Sequence, residues 1–317
     1  MRVTTLVLRR LAIGMVTVFV VSVLVFAGTE ILPGDVAQAI LGQGATPELV
    51  ANIRIRLGLD APAHVRYLHW LHDLATGDLG TSLSNGADIA AMVGDRLGNT
   101  VLLAGVTAVI AVPLSIALGL IASFNPNGLA DRAISVVSLA LISVPDFLVA
   151  VILVSIFAVQ LGWLPAVATL RANADLAQLA RALALPVTAL TFTVMAHMAR
   201  MTRSAVLNVL ASPAIEMAIL KGVPRTRILL LHALPNALAP IVNVVALNLA
   251  YLISGIVVIE TLFNFTGLGR LMVEAVTTRD IPVVQACAMI FCSVYVVLNM
   301  TADIIAILAN PRIRHPK

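Results

Sequence analysis

Six long apolar runs, each able to cross a bilayer, constrain this 317-residue chain more than any other feature. A hydrocarbon core about 30 Å thick needs roughly 20 residues in helix. The runs fall at about 11–32, 100–124, 133–161, 182–199, 237–263 and 281–308. Sixty per cent of the residues are hydrophobic and 11% are charged. An ordinary soluble domain carries about 25% charge, so no soluble surface can be built here. Disorder, a disulfide scaffold and a coiled coil are excluded as well, for want of polarity, cysteine and charged heptads. Helix is the expected form of each run, because backbone polar groups in lipid must be satisfied within the segment. The ten-residue alternation of a membrane β-barrel is not visible. Arg2, Arg9 and Arg10 precede the first run, as in a signal peptide. That run is too long for a signal core, and Glu30-Ile31-Leu32-Pro33-Gly34 follows it in place of a small-residue cleavage site, so it reads as a retained span. The expected class is an all-α membrane protein with six transmembrane helices.

Charge gives the expected orientation. With the N-terminus inside, the inner segments hold twelve Arg and Lys and the outer ones eight, four of these in a loop too long to count fully. Ten acids lie outside, against Asp131 and Glu216 inside. Both termini are therefore expected in the cytoplasm. The net charge of +4 then reflects basic inner loops at a lipid surface, and no nucleic acid is expected.

Two connections are long enough to hold structure. The outer one spans about 33–99, where residues 63–74 include helically spaced Val65, Leu68, Trp70 and Leu71 among His and Arg. That pattern predicts an amphipathic helix lying on the outer membrane face or on a partner. The inner one runs from about 200 to 235 and is basic. It reads as two short helices separated at Gly222-Val223-Pro224, with Ser212-Pro213 opening the first. Such a hairpin would project as a knob suited to a groove on a soluble partner; the plainer reading is a basic loop near anionic headgroups. No internal repeat or inverted symmetry is visible.

Chemistry is sparse. Only Lys221 and Lys317 are lysines, and neither is followed by Ser or Thr, so there is no Walker A loop. Gly267-Leu268-Gly269 lacks the third glycine of a dinucleotide loop. Nucleotide hydrolysis, if it drives this protein, belongs to another chain, and no catalytic residue is assigned. Cys287 and Cys292 lie inside one span and read as packing thiols. His64, His69, His72 and Asp73 read as a solvated helix face, and no metal site is assigned. Asp146, His197, Glu260 and Asp303 lie in or near spans, where ionisable groups are costly and therefore functional candidates. The plainer readings are snorkelling or helix capping for Glu260 and Asp303, and pairing with the backbone freed by Pro145 for Asp146. Asn243 and Asn248 are weaker candidates of the same kind.

At the inner hairpin the sequence resembles the permease subunits of ABC importers. Their signature is E-A-A, three residues, G, nine residues, I-x-L-P. Glu216, Ala218, Gly222, Leu234 and Pro235 fall at matching places, while Met217 and His232 depart from it. The likeness runs along nearly the whole chain to the dipeptide/oligopeptide/nickel branch, and to its first permease subunit with an enlarged first extracytoplasmic loop. Leu32-Pro33-Gly34-Asp35, Leu57-Gly58-Leu59-Asp60, Gly77-Asp78-Leu79-Gly80 and Arg96-Leu97-Gly98-Asn99-Thr100 carry it through the first third. Asp131-Arg132, Ser143-Val144-Pro145-Asp146, Leu161-Gly162-Trp163-Leu164-Pro165 and Arg200-Met201-Thr202-Arg203 follow. Glu260-Thr261-Leu262-Phe263, Gly267-Leu268-Gly269-Arg270 and Pro311-Arg312-Ile313-Arg314 complete the series.

The resemblance implies a type I ABC-importer permease fold in the bacterial cytoplasmic membrane. It implies a first-helix and outer-loop region at 1–95, a five-helix transmembrane domain at 96–310 with a coupling loop at about 200–235, and a tail at 311–317. It implies a second permease subunit, two ATPase subunits or one fused ATPase that bind ATP and Mg, and an extracytoplasmic binding protein. No cofactor is expected on this chain. Glu216, Met217, Ala218, Lys221, Gly222, Leu234 and Pro235 would form the part seated on an ATPase, with Arg200 and Arg203 holding the hairpin to the span-four end. Asp146, His197, Asn243, Asn248 and Glu260 are the candidates for the translocation path. Peptides are the expected cargo; nickel or another small solute is the alternative, and an ion-coupled secondary transporter is the rival of another class.

Overall fold

Each of the six runs folds as helix in the computed structural model, which describes residues 3–31, 46–56, 60–170 and 175–309. The motif at 32–35, most of that at 57–60 and the closing one at 311–314 lie outside the described residues. The helices are α1 (Val3–Ile31), α2 (Pro47–Arg56), α3 (Ala63–Thr76), α4 (Ile89–Phe124), α5 (Leu129–Ile142), α6 (Asp146–Gln160), α7 (Leu176–Leu210), α8 (Pro213–Leu220), α9 (Arg225–Leu262), α10 (Leu268–Thr278) and α11 (Ile281–Ala309). Among the described residues the β structure is one isolated bridge, Thr81 to Asp88. Helices α1, α4, α7, α9 and α11 are each long and apolar enough to span a membrane, and α5 with α6 supplies a sixth crossing if the pair is taken as one broken span. The chain is an all-α, multi-pass membrane protein.

The expected third span differs from a continuous helix. Its two halves are bent by 102°. Pro145 has no N–H and disfavours helix at Val144, so α5 stops there. Ser143 closes α5, its hydroxyl donating to Leu139 O at 2.8 Å. Asp146 then opens α6, whose last seven residues, Val154–Gln160, widen into π-helix. The second half of the inner hairpin also differs: it is the head of the long α9, not a separate short helix. Ile228–Ala233 is π-helical there. Pro235 offers no N–H to the Leu231 carbonyl, and the wider turn accommodates that gap.

The chain packs as two units. The larger comprises residues 1–11, 101–265 and 297–317. Its core is built by Leu103, Ala111, Val149, Leu153, Leu183, Leu190, Val194, Met198, Val244, Leu252, Ile256, Phe263 and Phe265. In lipid the hydrophobic effect does not drive helices together, so close van der Waals contact must. The buried residues Ala189, Ala196 and Ala199 on α7 and Ala246 and Ala250 on α9 allow that approach. Gly119 on α4 is the tightest example: a Cβ there would lie 2.7 Å from Thr202 Cβ and 2.9 Å from Ala199 O. In this unit Arg10 pairs with Asp303 at 3.0 Å.

The smaller unit comprises residues 12–100 and 266–296. Here α3 packs on α1 of the same chain. Phe26, Tyr67 and Trp70 form an aromatic cluster, with ring centroids 5.4–6.1 Å apart. The Tyr67 and Ser22 hydroxyls are 2.8 Å apart, and Arg66 pairs with Glu30. Leu68, expected on the apolar face, is exposed instead, as are His64, His69 and His72. A second anchor is the buried Asp280 carboxylate, which accepts from the Ser82 and Ser84 hydroxyls and from the amides of Leu83 (3.1 Å) and Ser84 (3.2 Å). It ties the 79–88 loop to the start of α11. Glu274 on α10 accepts from both Arg96 (2.9 Å) and Arg270 (2.7 Å).

Two outcomes follow from this packing. Gly119→Leu should lower stability by about 2 kcal/mol or more, the usual cost of overpacking a tight contact, seen as a lower melting temperature in detergent. Asp280→Ala leaves four donors without their acceptor and should cost at least about 2 kcal/mol. In hydrogen exchange its effect should concentrate at residues 79–88 while residues 183–199 stay protected.

Candidate functional site

The end of α7, the short α8 and the beginning of α9 form one structural element. Ser212 is extended and its carbonyl accepts from the amides of Ile215 (3.0 Å) and Glu216 (3.2 Å). Its side chain makes no cap hydrogen bond; Pro213, at the first helical position, starts α8 instead. After eight residues α8 is closed by paired bonds: Val223 N to Ala218 O at 3.2 Å and Gly222 N to Ile219 O at 2.9 Å. That pattern requires a left-handed residue, and Gly222 supplies it with φ +74°. Pro224 is extended and opens α9, its carbonyl accepting from Ile228 N at 3.0 Å.

Only Ile215 of α8 is buried. Met217, Ile219 and Leu220 are exposed, Leu220 to 75%. Glu216, Lys221 and Gly222 are exposed too, Ala218 is half-buried, and Leu234 and Pro235 lie further on in α9, half-buried and exposed. The result is a short helix offering an apolar tip flanked by one acid and one base.

Both roots of this element meet the corner between α4 and α5. Arg203 on α7 binds Asp131 through two parallel bonds, Nε to Oδ1 at 2.5 Å and Nη2 to Oδ2 at 2.7 Å. Asp131 is 3% exposed and also accepts from Asn127 N (2.8 Å) and the Ser135 hydroxyl (3.3 Å). Asn127 reaches it because its backbone is left-handed, φ +65°. On the other root, the Arg225 guanidinium lies 5.9 Å from the centre of the Phe124 ring. Arg203 therefore grips α5, and Arg200 is exposed. The sequence shows Asp131 and Phe124 only as a loop acid and the end of a span. Their partners lie 72 and 101 residues away, and nothing in local spacing signals the pairing.

The five path candidates separate by environment. Asn248 is buried, its amide donating to Val244 O at 2.8 Å, and Glu260 is fully buried. Asp146 is half-buried at the start of α6, its Oδ2 3.9 Å from where a Gly255 Cβ would stand. His197 and Asn243 are exposed. They lie on continuous uncovered stripes: His197, Met201, Ser204 and Asn208 on α7, and Asn243, Leu247, Tyr251, Ser254, Val258 and Thr261 on α9. His197 and Tyr251 bring the stripes together, with ring centroids 6.5 Å apart. Tyr251 and Ser254 were not sequence candidates; their 3.6-residue spacing from Asn243 was the available signal.

Comparison with known proteins places the chain. A family model described as the binding-protein-dependent transport system inner membrane component matches residues 115–315. The model for the N-terminal part of such membrane components matches residues 3–104. A probable peptide ABC transporter permease protein of Sinorhizobium fredii is 36% identical over 309 residues, covering 98% of this chain and 99% of that protein. A glutathione transport system permease protein of Escherichia coli is 36% identical over 309 residues, covering 98% of each. The chain belongs to the inner-membrane component family of binding-protein-dependent transport systems.

Proposed function

We propose that this protein is the membrane-spanning permease of an ATP-driven importer that carries small peptides into a bacterial cell. The observation that carries this reading is α8: a Gly222-closed helix with one buried side chain and an apolar tip, mounted between two long spanning helices. A helix so exposed suits a groove on a soluble subunit. The chain holds no Walker A loop, so the docked subunit would bind ATP and Mg. Two such ATPases or one fused pair, a second permease and an extracytoplasmic binding protein complete the assembly. The charge distribution supports cytoplasmic termini and a cytoplasmic α8. The peptide cargo is supported by the two relatives, one named for peptides and the other for glutathione, itself a small peptide.

Glu216, Met217, Ala218, Lys221 and Gly222 form the docking surface on this reading. Alternating access would then open the path to each side in turn, with ATP supplying the bias. The path itself would run along the uncovered stripes of α7 and α9. Polar groups turned to hydrocarbon are expensive, so a row containing His197, Asn243, Tyr251, Ser254 and Thr261 is better served by water and cargo. These groups are neutral or weakly basic hydrogen-bonding partners, which suits a peptide backbone of varied sequence.

Uptake of a radiolabelled dipeptide and of glutathione into proteoliposomes holding the whole importer tests the reading. ATP should drive it, and uptake driven by an ion gradient without any ATPase chain would overturn it. Leu220→Asp should reduce co-purification of the ATPase about tenfold, the factor for roughly 1.4 kcal/mol lost at an interface, with membrane insertion unchanged. Gly222→Trp should insert normally but uncouple uptake from hydrolysis, because the left-handed turn resists a side chain. For the path, cysteines placed at Asn243 and Tyr251 in a background lacking Cys287 and Cys292 should react with a water-soluble maleimide in the assembled importer. A cysteine at Val109, also exposed, should remain unlabelled; equal labelling of all three would remove the path assignment.

A further inference from the structure

We infer that Asp131 is a positioning residue for coupling: through Arg203 it binds the α4–α5 corner to the root of α8, so that displacement of the hairpin is delivered to α5. This rests on the docking role proposed for α8 and adds a route that the role does not itself specify.

The argument begins with how little holds α8. With Ile215 as its one buried side chain, α8 is positioned mainly by its roots. Both roots grip the same corner: Arg203 through Asp131, Arg225 over the Phe124 ring. The corner is itself rigid. A Cβ at Gly128 would meet Asn125 at 2.7 Å, and Asn127 is held left-handed by its bond to Asp131. The Ser123 hydroxyl donates to Arg203 O at 3.4 Å, and Gly119 sits against Thr202, one residue before Arg203.

Two parallel charge-assisted bonds join a buried carboxylate to a half-buried guanidinium and resist sliding. Separating them would leave the Asp131 carboxylate buried without its partner, so Asp131 and Arg203 move together. Apolar packing would hold these helices as firmly, since buried ion pairs confer little net stability. What the pair adds is a fixed direction and register. Beyond the corner, α5 ends after 14 residues at the Ser143–Pro145 break, where its axis turns by 102° into α6. That break is where a displaced α5 can pivot relative to α6, as a hinge requires.

Hydrogen exchange on the complete importer in lipid nanodiscs, with and without ATP and orthovanadate, tests this without any transported substrate. In the wild type, exchange should change at both 213–222 and 129–142. Asp131→Asn should keep the response at 213–222 and shrink that at 129–142 about tenfold, the factor set by one charge-assisted hydrogen bond. Arg203→Lys, which keeps the charge but not the paired geometry, should shrink it about threefold. If Asp131→Asn does not assemble, the Arg203→Lys importer decides the matter. A purely structural role for the pair would reduce both responses in parallel and overturn the inference. So would an unchanged 129–142 response in the variants, or none in the wild type. Loss of the 213–222 response in the wild type would instead remove the docking role of α8, and the inference with it. Failure of dipeptide or glutathione uptake would bear on the cargo alone.

Discussion

Hydrocarbon offers the peptide backbone no hydrogen-bond partner, and the form of this chain follows from how it meets that condition. Regular helix meets it at no cost. Irregular backbone is tolerated only where the freed groups find partners locally or line a protein interior, and several departures among the described residues illustrate how they are accommodated. At Ser143–Pro145 the break falls between two complete helices, with the Ser143 and Val144 amides returned to Leu139 and Leu141. At Ile228–Ala233 the helix widens ahead of Pro235. Outside the spans, at Gly222, two crossed bonds close α8 before the chain reverses. The breaks at Ser143–Val144 and at Gly222 are paired internally, so each can be a permanent feature of the fold.

The same solvent removes the usual reason for helices to associate, and packing falls to small residues and a few polar ties. Gly119 against Ala199 and Thr202 is close enough that one added carbon would force a shift. Asp131–Arg203 lies next to that contact in space. The pairing makes sense physically: a buried carboxylate needs its partner held in one geometry, and the tight α4–α7 crossing fixes α7 relative to the corner that bears Asp131. The aromatic cluster of Phe26, Tyr67 and Trp70 does comparable work in the smaller unit, where the amphipathic α3 gains a surface on its own chain. Sequence periodicity marks α3 as amphipathic, but it cannot say what the apolar face will meet.

What the sequence makes legible is what depends on short range. Span positions follow from apolar length, α8 from Pro213 and Gly222, and the end of α5 from Pro145. What depends on long range is not legible. Arg203 was expected to tie the hairpin to its own span, and it instead crosses to an acid 72 residues earlier. The third span is legible only in part: Pro145 marks where its backbone is freed, but hydropathy averages over a window and does not give the 102° by which the axis turns.

The path candidates show why composition alone could not sort them. Asn243 and Asn248 are equally polar and lie on one helix. Five residues at about 100° each place them roughly 140° apart around it. One therefore faces out beside Tyr251 and Ser254, while the other turns into the core and must satisfy its amide on Val244 O. Glu260 turns inward as well. A polar group buried in its own subunit contributes to holding α9; an uncovered one can act only on something that arrives from outside. The difference is angular, and it divides α9 lengthwise into a structural face and a face left open. Tyr251, 76% exposed, belongs wholly to the second, although its ring is as apolar as many residues of the first. Exposure in a membrane helix therefore has to be judged along a whole stripe, since one aromatic ring is at home in lipid and a row with asparagine, serine and histidine beside it is not.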